Sequence, residues 1–121
     1  MRIYFLFLFI VLAACTSKKE TIENPEFINY TLQSSFPHDK NAFTQGFVVH
    51  NGELYESTGQ DNSWIGIIDI KTGIADKKVT LGKEYFGEGI TILDNKIYQL
   101  TWQNHKGFVY DLKSFEKLRE F

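Results

Sequence analysis

The sequence predicts an all-β fold, because its hydrophobic residues follow the pattern of short strands. From residue 27 onward no segment keeps the hydrophobic period of an amphipathic helix. Runs rich in β-branched and aromatic residues are separated instead by turn residues such as Asn51-Gly52 and Asp94-Asn95, which favour tight hairpins. The expected strands are residues 27–36, 43–50, 53–58, 64–70, 76–81, 88–93, 96–102, 107–112 and 116–121.

An internal repeat is the second observation, and it groups these strands. At an offset of 43 residues, Phe43-Thr44-Gln45-Gly46 lies over Phe86-Gly87-Glu88-Gly89, and Leu54-Tyr55 lies over Ile97-Tyr98. Four strands in a repeat of about 40–50 residues are typical of one blade of a β-propeller. We therefore expect a first blade at residues 43–81 and a second blade at residues 86–121.

The number of repeats predicts a longer protein. A β-propeller has roughly four to eight blades, whereas this sequence supplies two. We expect residues 27–121 to be the N-terminal part of a propeller domain, in which the strand at residues 27–36 closes the last blade. Assembly of several copies into a ring is the alternative.

The N-terminus has the order of a secretory signal. Arg2 precedes an apolar run that ends in Ala13-Ala14, and the run is shorter than the roughly 20 residues of a membrane-spanning helix. Leu12-Ala13-Ala14-Cys15 resembles the lipobox of bacterial lipoproteins, which implies cleavage after residue 14 and lipidation of Cys15. Residues 15–26 would then be a lipidated tether. Thr16, where inner-membrane lipoproteins commonly carry Asp, favours the outer membrane, with the protein facing the periplasm or the cell surface. An ordinary signal peptide is the alternative.

Composition and charge exclude several classes. The chain has 121 residues, 43% of them hydrophobic and 16% aromatic, which argues against disorder. The formal net charge of −2 gives no reason to expect nucleic-acid binding. His38, His50 and His105 lack the spacing of zinc ligands, and Cys15 is the only cysteine, so we expect neither a metal site nor a cofactor.

The repeats point to a set of candidate site residues. Each repeat opens with an aromatic residue, a spacer, a polar residue and glycine. The first strand of a blade lines the propeller channel, so Gln45 and Glu88 should face the axis from equivalent places. Phe43, Phe86 and Trp102 would add an aromatic wall beside a carboxylate that is suited to proton transfer. On the pattern alone, blade packing is the favoured explanation of the aromatic residues, and a polar position in the channel is the favoured explanation of Glu88.

Longer motifs carry a family resemblance over residues 36–121. They are Pro37-His38-Asp39, Ala42-Phe43-Thr44-Gln45-Gly46, Leu54-Tyr55-Glu56-Ser57-Thr58-Gly59, Tyr85-Phe86-Gly87-Glu88-Gly89-Ile90-Thr91, Tyr98-Gln99-Leu100-Thr101-Trp102 and Phe108-Val109-Tyr110-Asp111. In this order they resemble the plant-type glutaminyl cyclases (glutaminyl-peptide cyclotransferases), which also occur in bacteria. The resemblance implies a five-bladed β-propeller that converts the N-terminal glutamine of peptides or proteins to pyroglutamate and releases ammonia.

The resemblance also implies roles for the candidate residues. Glu88 would be the catalytic general acid and base. Phe43, Gln45, Phe86 and Trp102 would bind the substrate. No metal or cofactor is implied, and the full-length protein would be a monomer. The alternative from another class is a non-catalytic propeller lipoprotein that binds peptides or proteins through the same channel.

Overall fold

The computed structural model describes residues 26–121, and their regular secondary structure is β-strand alone. The strands are β1 (Thr44–His50), β2 (Glu53–Thr58), β3 (Trp64–Asp69), β4 (Ile74–Thr80), β5 (Phe86–Leu93), β6 (Lys96–Trp102), β7 (Gly107–Asp111) and β8 (Lys117–Glu120). The strands predicted from residue 43 onward are thus confirmed, with ends that differ by at most two residues. The all-β class is confirmed with them.

The strands form two antiparallel four-stranded sheets, ordered β1-β2-β3-β4 and β5-β6-β7-β8. Each sheet corresponds to one of the two sequence repeats. The two-residue turns behave as predicted, since Asn51, Gly52, Asp94 and Asn95 all have positive φ, which matches the twist of a tight hairpin.

Residues 27–36, which the sequence predicts to be a strand that closes the last blade, are not assigned to a strand in this structure. No strand is assigned between residue 26 and β1, and Phe27 is 98% exposed. A strand is defined by hydrogen bonds to a neighbour, and this segment has none among residues 26–121. Its closing role in a propeller stays a prediction.

The predicted signal peptide, Cys15 and the tether up to residue 25 lie outside the described residues. Within residues 26–121 there is no helix with the length and apolar character needed to cross a membrane.

The core lies between the two sheets, and residues Leu32–Phe121 form one compact unit. Its buried apolar members are Tyr55, Ile65, Ile97, Phe108, Tyr110 and Phe115. The rings of Tyr55 in the first sheet and Phe115 in the second lie 6.2 Å apart. The Lys77 Nζ lies 4.5 Å from the centroid of the Phe115 ring, which adds a cation–π contact across the same boundary.

Buried hydrogen bonds also join the sheets. Gln99 is fully buried; its Nε2 donates to the Ser57 Oγ at 2.8 Å, and the Tyr110 hydroxyl donates to its Oε1 at 3.1 Å. The Gly87 N–H donates to the Ser63 Oγ at 3.0 Å. Burial, with a smaller effect of the Glu120 charge, raises the pKa of Tyr110 to about 12, so this hydroxyl keeps its proton. In the described part of the chain no buried side-chain polar atom lacks a hydrogen-bond partner.

Glycines let the first strands of the two sheets approach closely. A Cβ on Gly46 of β1 would lie 2.9 Å from the Ile90 backbone nitrogen of β5. A Cβ on Gly87 of β5 would lie 2.4 Å from the Thr58 carbonyl oxygen of β2. Both distances are shorter than contact distance to backbone atoms, which cannot move independently of their sheets. The two positions therefore require glycine for steric reasons.

We expect Gly87→Ala to lower the free energy of unfolding by about 1–3 kcal/mol, the usual cost of overpacking. Gly89→Ala is the matched control, because a Cβ there would meet nothing within 4 Å. Urea unfolding followed by circular dichroism measures both. Equal midpoints for the two variants would contradict the close approach.

Candidate active site

Gln45 and Glu88 both lie where the first strand of a sheet is irregular. In β1 the pairing with β2 shifts between Thr44 and Gly46, which makes Gln45 the extra residue. In β5 the pairing with β6 shifts between Gly87 and Ile90, a stretch that contains Glu88. Bulges of this kind redirect a side chain and are common beside active sites. The repeat therefore places two polar side chains in equivalent bulges on neighbouring strands.

The three predicted aromatic residues form one continuous row at this end of the strands. The rings of Phe43 and Phe86 meet edge to face at 6.0 Å, and those of Phe86 and Trp102 at 5.4 Å. Phe86 is the middle ring of this aromatic row. Phe43 is 46% exposed and Trp102 is 54% exposed, so the row offers apolar surface to solvent. The row matches the prediction that these residues lie together.

Backbone contacts fix the ends of the row. Phe86 and Trp102 are directly paired across β5 and β6. The Gly59 N–H donates to the Phe43 carbonyl oxygen at 2.9 Å, which ties Phe43 to the end of β2. The ring of Phe86 covers Gly59 so closely that a Cβ there would lie 2.2 Å from its Cε1. Rigid strand ends, rather than long loops, therefore hold the aromatic rings.

Glu88 follows Phe86 by two residues on β5 and is partly buried. The ion pairs of the described part join His38 to Glu56, Lys106 to Glu120 and Lys117 to Glu120, and none involves Glu88. Its carboxylate is therefore not committed to a cation among these residues. The structure brings Gln45 and Glu88 onto adjacent strands that touch at Gly46 and Gly89.

A groove adjoins the aromatic row at Phe86. It has a volume of about 340 Å³, and its lining comprises Gln60, Asp61, Lys83, Glu84, Tyr85 and Phe86. Phe86 belongs to both the row and the groove, and the groove lining carries both acidic and basic side chains.

Sequence reasoning missed a buried polar cluster next to the row. Glu56 on β2 is 0% exposed, and the His38 Nε2 lies 3.1 Å from both of its carboxylate oxygens. The Thr44 hydroxyl donates to the Glu56 Oε1 at 2.5 Å. The sequence did contain one signal for this cluster. The repeat aligns Glu56 with Gln99 in the middle of a strand, and an ionisable residue buried in a strand needs hydrogen-bonding partners.

The histidines are dispersed in the structure. The His38 imidazole contacts Glu56, and the His50 ring lies 6.5 Å from the Tyr55 ring. Within residues 26–121 no three His, Cys, Asp or Glu side chains are grouped so as to hold a metal ion.

Comparison with known proteins identifies the family of the chain. A model of a family described as glutamine cyclotransferase matches residues 6–121. The chain belongs to the glutamine cyclotransferase family. A curated relative, the glutaminyl-peptide cyclotransferase of Arabidopsis thaliana, is 39% identical over 90 residues, which are 73% of this chain and 28% of the relative. The crystal structure of Myxococcus xanthus glutaminyl cyclase matches with a TM-score of 0.64 and 32% identity, over 70% of this chain and 36% of that chain.

These matches confirm the family resemblance drawn from the motifs. The chain spans 28% of the length of the Arabidopsis relative and 36% of the length of the Myxococcus enzyme.

We expect Phe86→Ala to separate Phe43 from Trp102 and to make the Trp102 indole more accessible to solvent. Acrylamide quenching in a Trp64→Phe background, where Trp102 is the only tryptophan, measures this accessibility. Phe47→Ala is the control, because it removes another phenylalanine ring, half exposed on β1, that contacts His38 instead of the row. Unchanged quenching in Phe86→Ala would show that Phe86 does not shield Trp102.

Proposed function

We propose that the protein carrying this chain is a glutaminyl-peptide cyclotransferase, which converts N-terminal glutamine to pyroglutamate with loss of ammonia. The main support is that Glu88 lies on β5 two residues after Phe86, the middle ring of the aromatic row, within a chain of the glutamine cyclotransferase family. A glutamine side chain is flexible and must fold back on its own amine. A row of rigid rings suits that task, because holding the reacting atoms close removes much of the entropic barrier.

Glu88 acts as the proton shuttle in this proposal. Its carboxylate takes a proton from the substrate α-amine, and the nitrogen attacks the side-chain amide carbon, forming the ring C–N bond. The carbon–nitrogen bond to the amide nitrogen then breaks, and the proton returns from Glu88 to that nitrogen, which leaves as ammonia. General acid–base catalysis of this kind typically contributes about 10²–10⁴-fold. Gln45, in the equivalent bulge on β1, supplies an amide that hydrogen-bonds the substrate.

The proposal extends to the whole fold. The two sheets are taken as adjacent blades of a five-bladed propeller, with first strands that face a shared channel. Two features favour this placement: the close contact of β1 with β5, and bulges at equivalent positions in both strands.

A non-catalytic peptide-binding propeller remains the alternative, and the exposed aromatic row would serve it equally well. It differs in needing no carboxylate beside the row. The role of Glu88 therefore separates the two functions.

We expect Glu88→Gln to lower kcat for a Gln-initiated peptide by about 10²–10⁴-fold, because the amide cannot carry the proton. Ammonia release measured in a coupled assay gives kcat, and thermal unfolding checks that the fold is kept. Glu116→Gln, in the exposed turn before β8, is the matched control for loss of a carboxylate. A folded Glu88→Gln protein with unchanged turnover would remove Glu88 from the mechanism.

We also propose that Cys15 carries a lipid anchor that holds the protein at a bacterial membrane, with the outer membrane favoured. The support is the order Leu12-Ala13-Ala14-Cys15 after the apolar run. Two or more acyl chains give stable anchoring, since each buried CH₂ contributes about 0.8 kcal/mol.

In a bacterial host we expect radiolabelled palmitate to mark the wild-type protein, and Cys15→Ser to abolish the label and move the protein out of the membrane fraction. Thr16→Asp is the control, as it leaves the acceptor thiol in place and should retain the label. An unlabelled, water-soluble wild type would contradict the anchor.

A further inference from the structure

The buried Glu56 carboxylate has an unusual set of partners. It is held by a histidine from the segment before β1 and by a threonine hydroxyl within β1, and both contacts are within hydrogen-bond distance. Burying a carboxylate is unfavourable unless it is paired and hydrogen-bonded. The cluster of His38, Thr44 and Glu56 is therefore a fixed arrangement that holds its members in place.

The position of Thr44 connects this cluster to the aromatic row. Thr44 lies directly between Phe43, the first ring of the row, and Gln45, the bulged residue. It is also paired with Thr58, one residue before Gly59, whose N–H holds the Phe43 carbonyl. A hydroxyl fixed to a buried carboxylate at this point limits the rotation of both neighbours.

The second repeat has no counterpart of this cluster. There Gln99 occupies the place of Glu56, and it binds Ser57 and Tyr110 instead of its own first strand. Gly87 occupies the place of Thr44 and has no hydroxyl to offer. The link from a buried carboxylate to the first strand thus occurs in the first repeat only.

The histidine extends the link beyond the bulge. The imidazole of His38 meets the Phe47 ring edge to face at 5.8 Å, and Phe47 lies on β1 after Gln45. Glu56 and His38 therefore contact β1 on both sides of the irregular stretch.

We propose that Thr44, Glu56 and His38 are positioning residues, which hold Phe43 and Gln45 in the conformation that receives the N-terminal glutamine. The inference rests on the proposed cyclotransferase function. It adds that substrate affinity depends on a carboxylate that does not itself reach the substrate. Thr44→Val removes the hydroxyl at nearly constant shape, whereas Thr44→Ser keeps it.

The test measures KM, kcat and hydrogen exchange in the full-length protein. Thr44→Val should raise KM for a Gln-initiated peptide roughly tenfold, in line with the loss of a hydrogen bond to a charged group. It should also speed exchange of the Gly59 amide, while amides of β6 and β7 exchange as in the wild type. Thr44→Ser should restore both values. Thr91→Val, the same chemical change on β5 outside the cluster, should alter neither.

His38→Gln provides a second variant if Thr44→Val fails to fold. His38 lies outside the strands, and its loss should raise KM in the same direction. The exchange measurement does not need turnover, so it tests the cluster even in an inactive protein. An inactive wild type would count against the proposed function alone. Unchanged KM and unchanged Gly59 exchange in folded Thr44→Val and His38→Gln proteins would overturn the inference. So would a uniform loss of protection across both sheets, because that indicates a purely structural role.

Discussion

The close backbone contact between β1 and β5 is the constraint on which the rest of the structure depends. Because Gly46 and Gly87 have no side chains, the backbones of the two sheets approach each other closely at these positions. Further from this contact, larger side chains such as Tyr55, Phe108 and Phe115 fill the space between the sheets. The result is a wedge-shaped pair of sheets, and the narrow end of the wedge is where the bulged polar residues and the aromatic row are found.

This contact explains why residues from two sheets can form one site. Phe43 comes from the first sheet, whereas Phe86 and Trp102 come from the second, and the rings still lie within 6.0 Å of their neighbours. Had the strands been separated by ordinary side-chain packing, at about 10 Å between sheets, the row would have been broken. The site is therefore a property of the junction between repeats, and neither repeat contains it alone.

Much of this arrangement was predictable from the sequence. Hairpin residues and β-rich runs placed eight strands correctly, because their signals are local. The repeat identified Gln45 and Glu88 as equivalent, and the bulges bear out that equivalence. At residues 27–36 β-propensity alone does not decide the outcome, since a strand also needs a neighbour and no residue of the described part pairs with this segment. The contacts among His38, Thr44 and Glu56 were also missed, because they depend on which face of β2 is covered, and that is a tertiary property.

The different residues at one repeat position, Glu56 and Gln99, have a consequence for how such a protein evolves. Repeats that arise by duplication begin as interchangeable copies. If they differed in nothing but residues that keep the same hydrophobic pattern, they would stay interchangeable. Here the amide binds the preceding sheet, whereas the carboxylate binds its own first strand and the segment before it. Exchanging the order of the two repeats would set the carboxylate against Leu100, which occupies the place of Ser57 in the second repeat, and would leave His38 facing an amide. The chemistry of a single buried position thus fixes the order of the repeats along the chain.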